Sequence, residues 1–245
     1  MGKSDSTMIA IGGGEFAKGG EVMTACMELI HAIDAPKLCV MTVATDEPES
    51  AGAKYNSIFR SHGVKHVSLI DIDQREDSFA PRSLEKIKQS DVLFFTGGDQ
   101  LHVTSLMGGS PLHYAIRERV DEGIIIIGTS AGAMMMSTSM IISGKSDHRP
   151  ELGAVEIAPG MDLIPNTIID THFAQRGRHG RLITAIAHYP QNFGIGIDEN
   201  TAMIVKENKF KVVGAGSVTI LDGNQMRHSD LAYKQNNRTH SLGLL

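Results

Sequence analysis

The sequence is poor in several features that mark particular classes of protein. Its 245 residues include only two cysteines, Cys26 and Cys39, which argues against a disulfide scaffold and favours a reducing compartment with both thiols in the core. The first apolar run, Thr7–Ile11, leads directly into glycines and is too short for a signal peptide, so we expect a cytoplasmic protein. A formal net charge of −5 offers no general attraction to nucleic acids or anionic membranes, and we expect neither as a partner.

Motifs for metals and for common cofactors are also missing. The sequence has no His-Glu-x-x-His, Cys-x-x-Cys or P-loop pattern. The glycines of GGGE, residues 12–15, lack the spacing of a dinucleotide-binding loop. The methionine run Met134–Met136 is better explained by helix packing than by metal or redox chemistry. We therefore expect no metal and no cofactor.

Apolar runs alternate with helical segments through the first 150 residues, and this rhythm predicts a parallel sheet covered by helices. Shorter runs after that point predict an antiparallel extension, and uniform composition predicts one domain over 1–245 with a loosely held tail at Gln235–Leu245. The predicted strands are Met8–Ile11, Lys37–Ala44, His66–Ile72, Asp91–Thr96, Ile124–Ile127, Thr167–Asp170, Phe193–Asp198, Thr201–Val205, Phe210–Val213 and Ser217–Leu221. The predicted helices are Glu21–Ala32, Glu49–His62, Ser83–Gln89, Leu112–Glu122 and Gly180–His188.

The segment IIIIGTSAGAMMM, residues 124–136, places one serine where a strand turns into a helix. Ile124–Ile127 is typical of a strand buried on both faces, and Ala131–Met136 of the start of a helix. Between them, Gly128–Gly132 matches Gly-x-Ser-x-Gly, in which small neighbours allow a tight turn that exposes the serine hydroxyl. Ser130 is therefore a candidate nucleophile. As the alternative, its side chain caps the following helix.

A serine nucleophile needs a histidine base that is held by an acid. His172 directly follows an apolar strand, at the carboxyl end where the sites of parallel sheets collect. An α/β-hydrolase order would recruit Asp162 or Asp170 as the acid, whereas GIGIDEN offers Asp198 and Glu199 after the histidine. Because neighbouring strand residues face opposite sides, only one of the latter two can reach the imidazole. Spacing leaves the acid open.

Backbone amides for an oxyanion are available at two strand ends. TGGDQ, residues 96–100, ends an apolar run in two glycines, so the backbone near Gly98 can approach a substrate closely. The amide of Ala131, at the helix start, is the second candidate donor. A tight strand-to-helix turn accounts for the glycines as well, and the two interpretations are compatible.

The stretch QRGRHGRL places Arg176, Arg178 and Arg181 around the start of a helix, where the helix dipole favours acidic residues. A solvated surface tolerates such a cluster, but a bound anion explains it better. We expect a substrate that carries carboxylates.

Together, GTSAGA, TGGDQ and DTHFAQRGRHGRL resemble the cyanophycinase-type serine peptidases, a family that includes aspartyl dipeptidase (peptidase E). The resemblance runs from about Ile9 to Leu221 and is most specific at His-Phe-x-Gln-Arg-Gly-Arg. It implies a three-layer, flavodoxin-like fold of the class I glutamine-amidotransferase type. It also implies a homodimer without a metal that hydrolyses cyanophycin, a poly-aspartate whose side chains carry arginine, to β-Asp-Arg dipeptides through an acyl-enzyme.

Carried over by motif, the resemblance implies roles for individual residues. Ser130 is the nucleophile, His172 the base and Glu199 the acid, with the oxyanion hole at Gly98 and Ala131. The implied substrate-binding residues are Gln100, Asp170, Thr171, Arg176, Arg178 and Arg181.

One position departs from the family pattern, which has glutamine immediately before the histidine. Thr171 stands there instead, with a shorter side chain and no amide, so the substrate is less firmly implied than the reaction. The alternatives are an aspartyl or isoaspartyl dipeptidase with the same triad and a non-catalytic protein that binds polyacids.

Overall fold

The computed structural model describes residues 6–14, 20–144 and 155–227, so the predicted tail Gln235–Leu245 lies outside the described residues. The strands are β1 (Thr7–Ile11), β2 (Lys37–Met41), β3 (His66–Ile70), β4 (Val92–Phe95), β5 (Ile125–Thr129), β6 (Ser139–Gly144), β7 (Val155–Pro159), β8 (Thr167–Thr171), β9 (Phe193–Ile197), β10 (Thr201–Lys206), β11 (Lys209–Gly214) and β12 (Val218–Asp222). The α-helices are α1 (Glu21–His31), α2 (Pro48–Ser61), α3 (Pro81–Gln89), α4 (Gln100–Met107), α5 (Pro111–Asp121), α6 (Ala131–Met134) and α7 (His179–His188), and Arg75–Phe79 forms a 3₁₀ helix.

The centre of the fold is a seven-stranded sheet with the order β11-β10-β1-β5-β4-β2-β3. The five strands from β1 to β3 in this order run parallel, as the alternating pattern predicted. Every residue of β5 is buried, because helices cover both faces of the sheet. Ile126 packs with the core beneath α3 and α5, whereas Ile125 and Ile127 pack with the core beneath α1 and α2. The predicted three-layer α/β fold is confirmed.

The predicted antiparallel extension is confirmed for β10 and β11, while one strand pair in this part of the chain is parallel. β10 and β11 do extend the central sheet antiparallel, but β8 and β9 pair parallel in a separate sheet of order β12-β9-β8. The reason is that α7 connects β8 to β9 as a helical crossover, and such a connection makes its two strands parallel. The hairpin of β6 and β7 and the helix α4 were not predicted.

The thiols and the methionine run lie in the core, as predicted. Cys26 is 2% exposed and Cys39 is 0% exposed, and burial raises the pKa of the Cys39 thiol. Met134–Met136 are all buried. Within the described residues, no helix combines the length and apolar character needed to cross a bilayer.

His113 on α5 links that helix, through Met161, to the backbone just after α6. Its Nδ1 accepts a hydrogen bond from the Gly109 amide at 3.1 Å, and its Nε2 donates to the Met161 carbonyl at 3.1 Å. The Met161 amide in turn donates to the carbonyl of Met135, just after α6. Burial is the main cause that lowers the pKa of His113. The imidazole is therefore neutral in the folded protein at neutral pH.

This arrangement predicts a loss of stability in mild acid. The unfolded chain takes up the His113 proton near pH 6.5, above the pH at which the folded protein does, so the free energy of unfolding falls as the pH drops below about 6.5. We expect a shallower fall in His113→Gln, measured by urea unfolding at a series of pH values. The control is His66→Gln, which removes an exposed imidazole from β3. A wild-type slope in His113→Gln would contradict the assignment.

Candidate active site

Ser130 sits in a strained turn between β5 and α6, the arrangement that its motif predicts. Its φ of 53° and ψ of −115° are unusual for a residue with a side chain, and such strain costs on the order of 1–3 kcal/mol. Although Ser130 occupies the N-cap position, its side chain makes no capping hydrogen bond. Its Oγ instead lies 2.9 Å from Nε2 of His172. The geometry favours the nucleophile over the helix cap.

A carboxylate completes this series of hydrogen bonds. Nδ1 of His172 lies 2.7 Å from Oε1 of Glu199, with the imidazole 14% and the carboxylate side chain 37% exposed. His172 directly follows β8, and Glu199 follows the parallel neighbour β9, so the two carboxyl ends bring them together. A carboxylate here can hold the tautomer in which Nε2 accepts the serine proton.

The other candidate acids are engaged elsewhere. Asp198 accepts hydrogen bonds from the backbone amides of Ala174, at 3.0 Å, and Ser217, at 2.9 Å, so it joins backbone segments instead of reaching the imidazole. Asp162 accepts from the Thr138 hydroxyl at 2.6 Å. Among the acids left open by spacing, Glu199 is the one whose carboxylate lies within hydrogen-bonding distance of His172 in the described residues.

Two backbone amides near Ser130 match the candidate oxyanion donors. Gly98 follows β4 with a φ of 144°, and a Cβ there would lie 1.8 Å from the carbonyl oxygen of Ala44, so only glycine fits. The next residue anchors this turn, because the Asp99 amide donates to the same carbonyl at 2.7 Å. Within the part of the chain that the structure describes, neither the Gly98 nor the Ala131 amide has a hydrogen-bond partner.

A pocket of about 270 Å³ opens beside Ser130. Its wall is mostly polar and includes all the predicted substrate-binding residues except Asp170. The lining residues are Gly98, Asp99, Gln100, Ser130, Met134, Ile142, Thr171, Arg176, Arg178 and Arg181.

Asp170 lies behind the pocket instead of in its wall, which corrects the expectation that it lines the pocket. It has no exposed surface, and it accepts hydrogen bonds from Nη1 of Arg178 at 3.0 Å and from Nε of Arg181 at 2.6 Å. Nη2 of Arg181 makes a further bond to the same carboxylate. Two buried guanidinium groups thus share one carboxylate, which leaves the cluster with an excess positive charge. Because the charges of both arginines are buried away from water, they need a paired counter-charge, which the Asp170 carboxylate supplies.

The environment of Arg178 reflects this charge balance. Burial, together with the neighbouring Arg181 and Arg176, lowers the pKa of Arg178 to about 10, although Asp170 acts in the opposite direction. The guanidinium therefore stays charged at neutral pH. Its Nη1 also donates to the Thr171 carbonyl at 2.6 Å.

Two predicted pocket residues have distinct surroundings. Nε2 of Gln100 donates to the carbonyl of Ile141 at 2.6 Å, which ties the start of α4 to β6. The Thr171 hydroxyl is buried, and within the described residues it has no hydrogen-bond partner. Thr171 therefore borders the pocket without being anchored through its side chain.

Gln175, which was not predicted as a site residue, supports the carboxylate. Oε1 of Gln175 accepts a hydrogen bond from the Glu199 amide at 3.0 Å. Gln175 belongs to the quoted HFAQRGR segment, so the motif contained it, but nothing in the spacing indicated a contact with a residue 24 positions away.

The described part of the chain shows no cluster of three or more His, Cys, Asp or Glu residues that could hold a metal ion.

A hydroxyl, an imidazole and a carboxylate joined in this order at the carboxyl ends of strands in an α/β fold are the constellation of serine hydrolases. The comparisons agree, and the chain is a serine-type peptidase. It belongs to peptidase family S51, and the sequence model of that family matches residues 8–213. The resemblance inferred from the motifs is thereby confirmed.

Several cyanophycinases match this chain over nearly its whole length. A cyanophycinase of Synechococcus elongatus is 36% identical over 238 residues, which cover 96% of this chain and 74% of that protein. A cyanophycinase of Geminocystis herdmanii (strain PCC 6308) is 35% identical over 245 residues, covering 98% and 90%. The crystal structure of a peptidase from an acI-B1 Actinobacterium has a TM-score of 0.68 at 24% identity, with 94% of this chain and 95% of that chain covered. This last likeness shows the shared fold.

Proposed function

We propose that this peptidase is an exopeptidase that hydrolyses cyanophycin to β-Asp-Arg dipeptides. The observation that carries the proposal is the hydrogen-bonded series of Ser130, His172 and Glu199 beside a pocket with arginines in its wall. Cyanophycin carries a free carboxylate at the end of its poly-aspartate backbone and one on each attached arginine, and arginine is the side chain best suited to bind carboxylates. The cyanophycinase relatives support the same substrate.

In the proposed reaction, Oγ of Ser130 attacks the scissile carbonyl while Nε2 of His172 takes its proton. The tetrahedral intermediate places its oxyanion between the amides of Gly98 and Ala131. The carbon–nitrogen bond then breaks, and His172 returns the proton to the leaving amine. Water, deprotonated by His172, then attacks the acyl carbonyl, the ester bond to Oγ breaks, and His172 returns the proton to Ser130 as the acyl group leaves as a carboxylate. Glu199 orients the imidazole and stabilises its protonated form.

The charge of the pocket supports the proposed binding mode. Arg178 and Arg181 are fixed by Asp170, whereas Arg176 is exposed at the rim. We propose that the two fixed arginines bind a carboxylate close to the scissile bond and that Arg176 binds one farther along the substrate. Preorganised charges of this kind lose little entropy when the ligand binds.

A dipeptidase is the second candidate, and Thr171 is the observation that favours it. Its side chain is short and wholly buried, so Thr171 itself offers no exposed polar group to a longer substrate. A pocket of about 270 Å³ suits a small ligand better than an extended polymer.

We further propose that the enzyme acts in the cytoplasm as a homodimer. Two buried cysteines support a reducing compartment, and the resemblance to the family supports the dimer. Analytical ultracentrifugation tests the oligomeric state directly, since a dimer has twice the monomer mass of 26.4 kDa.

The substrate is tested by incubating the protein with insoluble cyanophycin, with β-Asp dipeptides and with α-Asp dipeptides, and by identifying the products by mass spectrometry. Ser130→Ala serves as the control in every reaction. We expect β-Asp-Arg from cyanophycin with the wild type alone. Cleavage of dipeptides alone would favour the dipeptidase and point to Thr171, whereas cleavage of none of them would contradict both candidates.

A further inference from the structure

Residues 11–13, which form the end of β1 and the two positions after it, make backbone hydrogen bonds at all three members of the proposed triad or next to them. Three successive backbone carbonyls accept hydrogen bonds from three distant segments: that of Ile11 from the Ser130 amide at 3.0 Å, that of Gly12 from the His172 amide at 2.9 Å, and that of Gly13 from the Asn200 amide at 2.7 Å. Asn200 directly follows Glu199 in the chain. One short stretch of backbone is thus bonded to the nucleophile, the base and the neighbour of the acid.

The three donors share an unusual backbone conformation. Ser130, His172 and Asn200 have φ values of 53°, 48° and 55°, in the left-handed region that residues with side chains rarely adopt. Residues persist in such conformations only where the surrounding structure holds them firmly. The carbonyls of residues 11–13 supply one hydrogen bond to each, so the end of β1 helps to hold all three strained residues.

Gly13 also touches the imidazole itself. A Cβ at this position would lie 2.3 Å from Cε1 of His172 and 2.9 Å from each ring nitrogen, and the φ of Gly13 is 102°. The ring atoms in question include both nitrogens that bond to Ser130 and Glu199. Glycine therefore lets the backbone lie against the edge of the ring while the ring keeps both hydrogen bonds.

We propose that Gly13 is a positioning residue for the triad, which sets the imidazole of His172 between Ser130 and Glu199. This inference rests on the proposed function, because it presumes that these three residues act together. Their hydrogen bonds of 2.9 and 2.7 Å leave little room for movement of the ring. A displacement of about 1 Å at a reacting group lowers the rate on the order of 100-fold.

The test is Gly13→Ala, with Gly63→Ala as the matched control. Gly63 has a similar φ of 91°, but a Cβ there makes only ordinary contact, 3.6 Å from the His31 side chain. Both variants introduce backbone strain, and only the first displaces the catalytic ring. We expect kcat of Gly13→Ala to fall on the order of 100-fold with KM changed less than about threefold, and the acidic limb of its kcat/KM pH profile to shift. Wild-type kcat and pH profile in Gly13→Ala would overturn the proposal.

A second pair of variants serves if Gly13→Ala does not fold. Asn200→Ala strains the residue that bonds to the Gly13 carbonyl, and Asn200→Gly relieves the strain while it keeps the amide. We expect Asn200→Ala to lower kcat and Asn200→Gly to retain it. Equal kcat values in the two variants would count against positioning by the end of β1.

An independent measurement separates this inference from the proposed function. A proton on Nδ1 of His172 that donates to Glu199 is expected to give a downfield NMR resonance, whether or not any substrate is cleaved. We expect this resonance to move or disappear in Gly13→Ala and to stay in place in Gly63→Ala. If the wild type cleaves no substrate but the resonance behaves in this way, the proposed function fails and the positioning role stands. An unchanged resonance in Gly13→Ala overturns the positioning role alone.

Discussion

Ser130→Ala is expected to lower kcat by about 10⁴-fold or more, because the variant has no hydroxyl to form the acyl-enzyme. The rest of the site is unchanged, since the Ser130 amide keeps its bond to the Ile11 carbonyl and the arginines do not contact the hydroxyl. We therefore expect substrate to bind with an affinity within about threefold of the wild type. The measurements are release of product by mass spectrometry and binding of a short aspartate peptide by calorimetry.

Ser61→Ala is the control for this experiment, since it removes an exposed hydroxyl from the end of α2, far along the chain from the site. It should keep wild-type kcat, and both variants should unfold within about 1 kcal/mol of the wild type. Retention of substantial activity by Ser130→Ala would rule out the serine as the nucleophile. If Ser130→Ala did not fold, its loss of activity would reflect stability instead of the missing hydroxyl, and the unfolding measurement would show this.

Asp170→Asn is expected to lower the free energy of unfolding by about 3–5 kcal/mol, the usual cost of removing one partner from a buried ion pair. The carboxylate is fully buried and bonds to two guanidinium groups, whose side chains are only 10% and 7% exposed. Asparagine has nearly the same shape but no charge, and its amide nitrogen can only donate. Arg178 and Arg181 would then lie buried without a counter-charge. Urea unfolding at neutral pH measures the loss.

Asp162→Asn is the matched control for the loss of a paired carboxylate. Its oxygen lies 3.6 Å from Arg117, and the two side chains are 40% and 49% exposed, so water screens this pair. We expect Asp162→Asn to lower the free energy of unfolding by no more than about 1 kcal/mol. If Asp170→Asn were as mild as Asp162→Asn, the buried cluster would not anchor the arginines as described.

The periodicity of the chain was sufficient to predict the parallel part of the sheet. Strands buried on both faces read as continuous apolar runs, and Ile124–Ile127 is such a run. The same logic did not reveal that β8 and β9 lie in a separate sheet, because their apolar character is compatible with either sheet. Pairing depends on the path of the crossover helix α7, which the local pattern does not contain.

The candidate nucleophile and base were predictable because each directly follows an apolar run that forms a strand, Ser130 after β5 and His172 after β8. The acid was not predictable, because Asp198 and Glu199 are adjacent and the directions in which their side chains point depend on the path of the backbone after β9. The burial of Asp170 was also beyond the sequence pattern, because an alternating strand residue can point into a pocket or away from it. The glycines after β1 were noted only as an incomplete cofactor motif, and their contacts with His172 depend on tertiary structure.

Covalent labelling with a fluorophosphonate, followed by peptide mass spectrometry, tests most directly whether Ser130 is a nucleophile activated by His172. We expect one adduct, on Ser130, that forms at least about 100-fold more slowly in His172→Ala. An adduct on another residue, or equal labelling rates in the wild type and His172→Ala, would contradict this expectation.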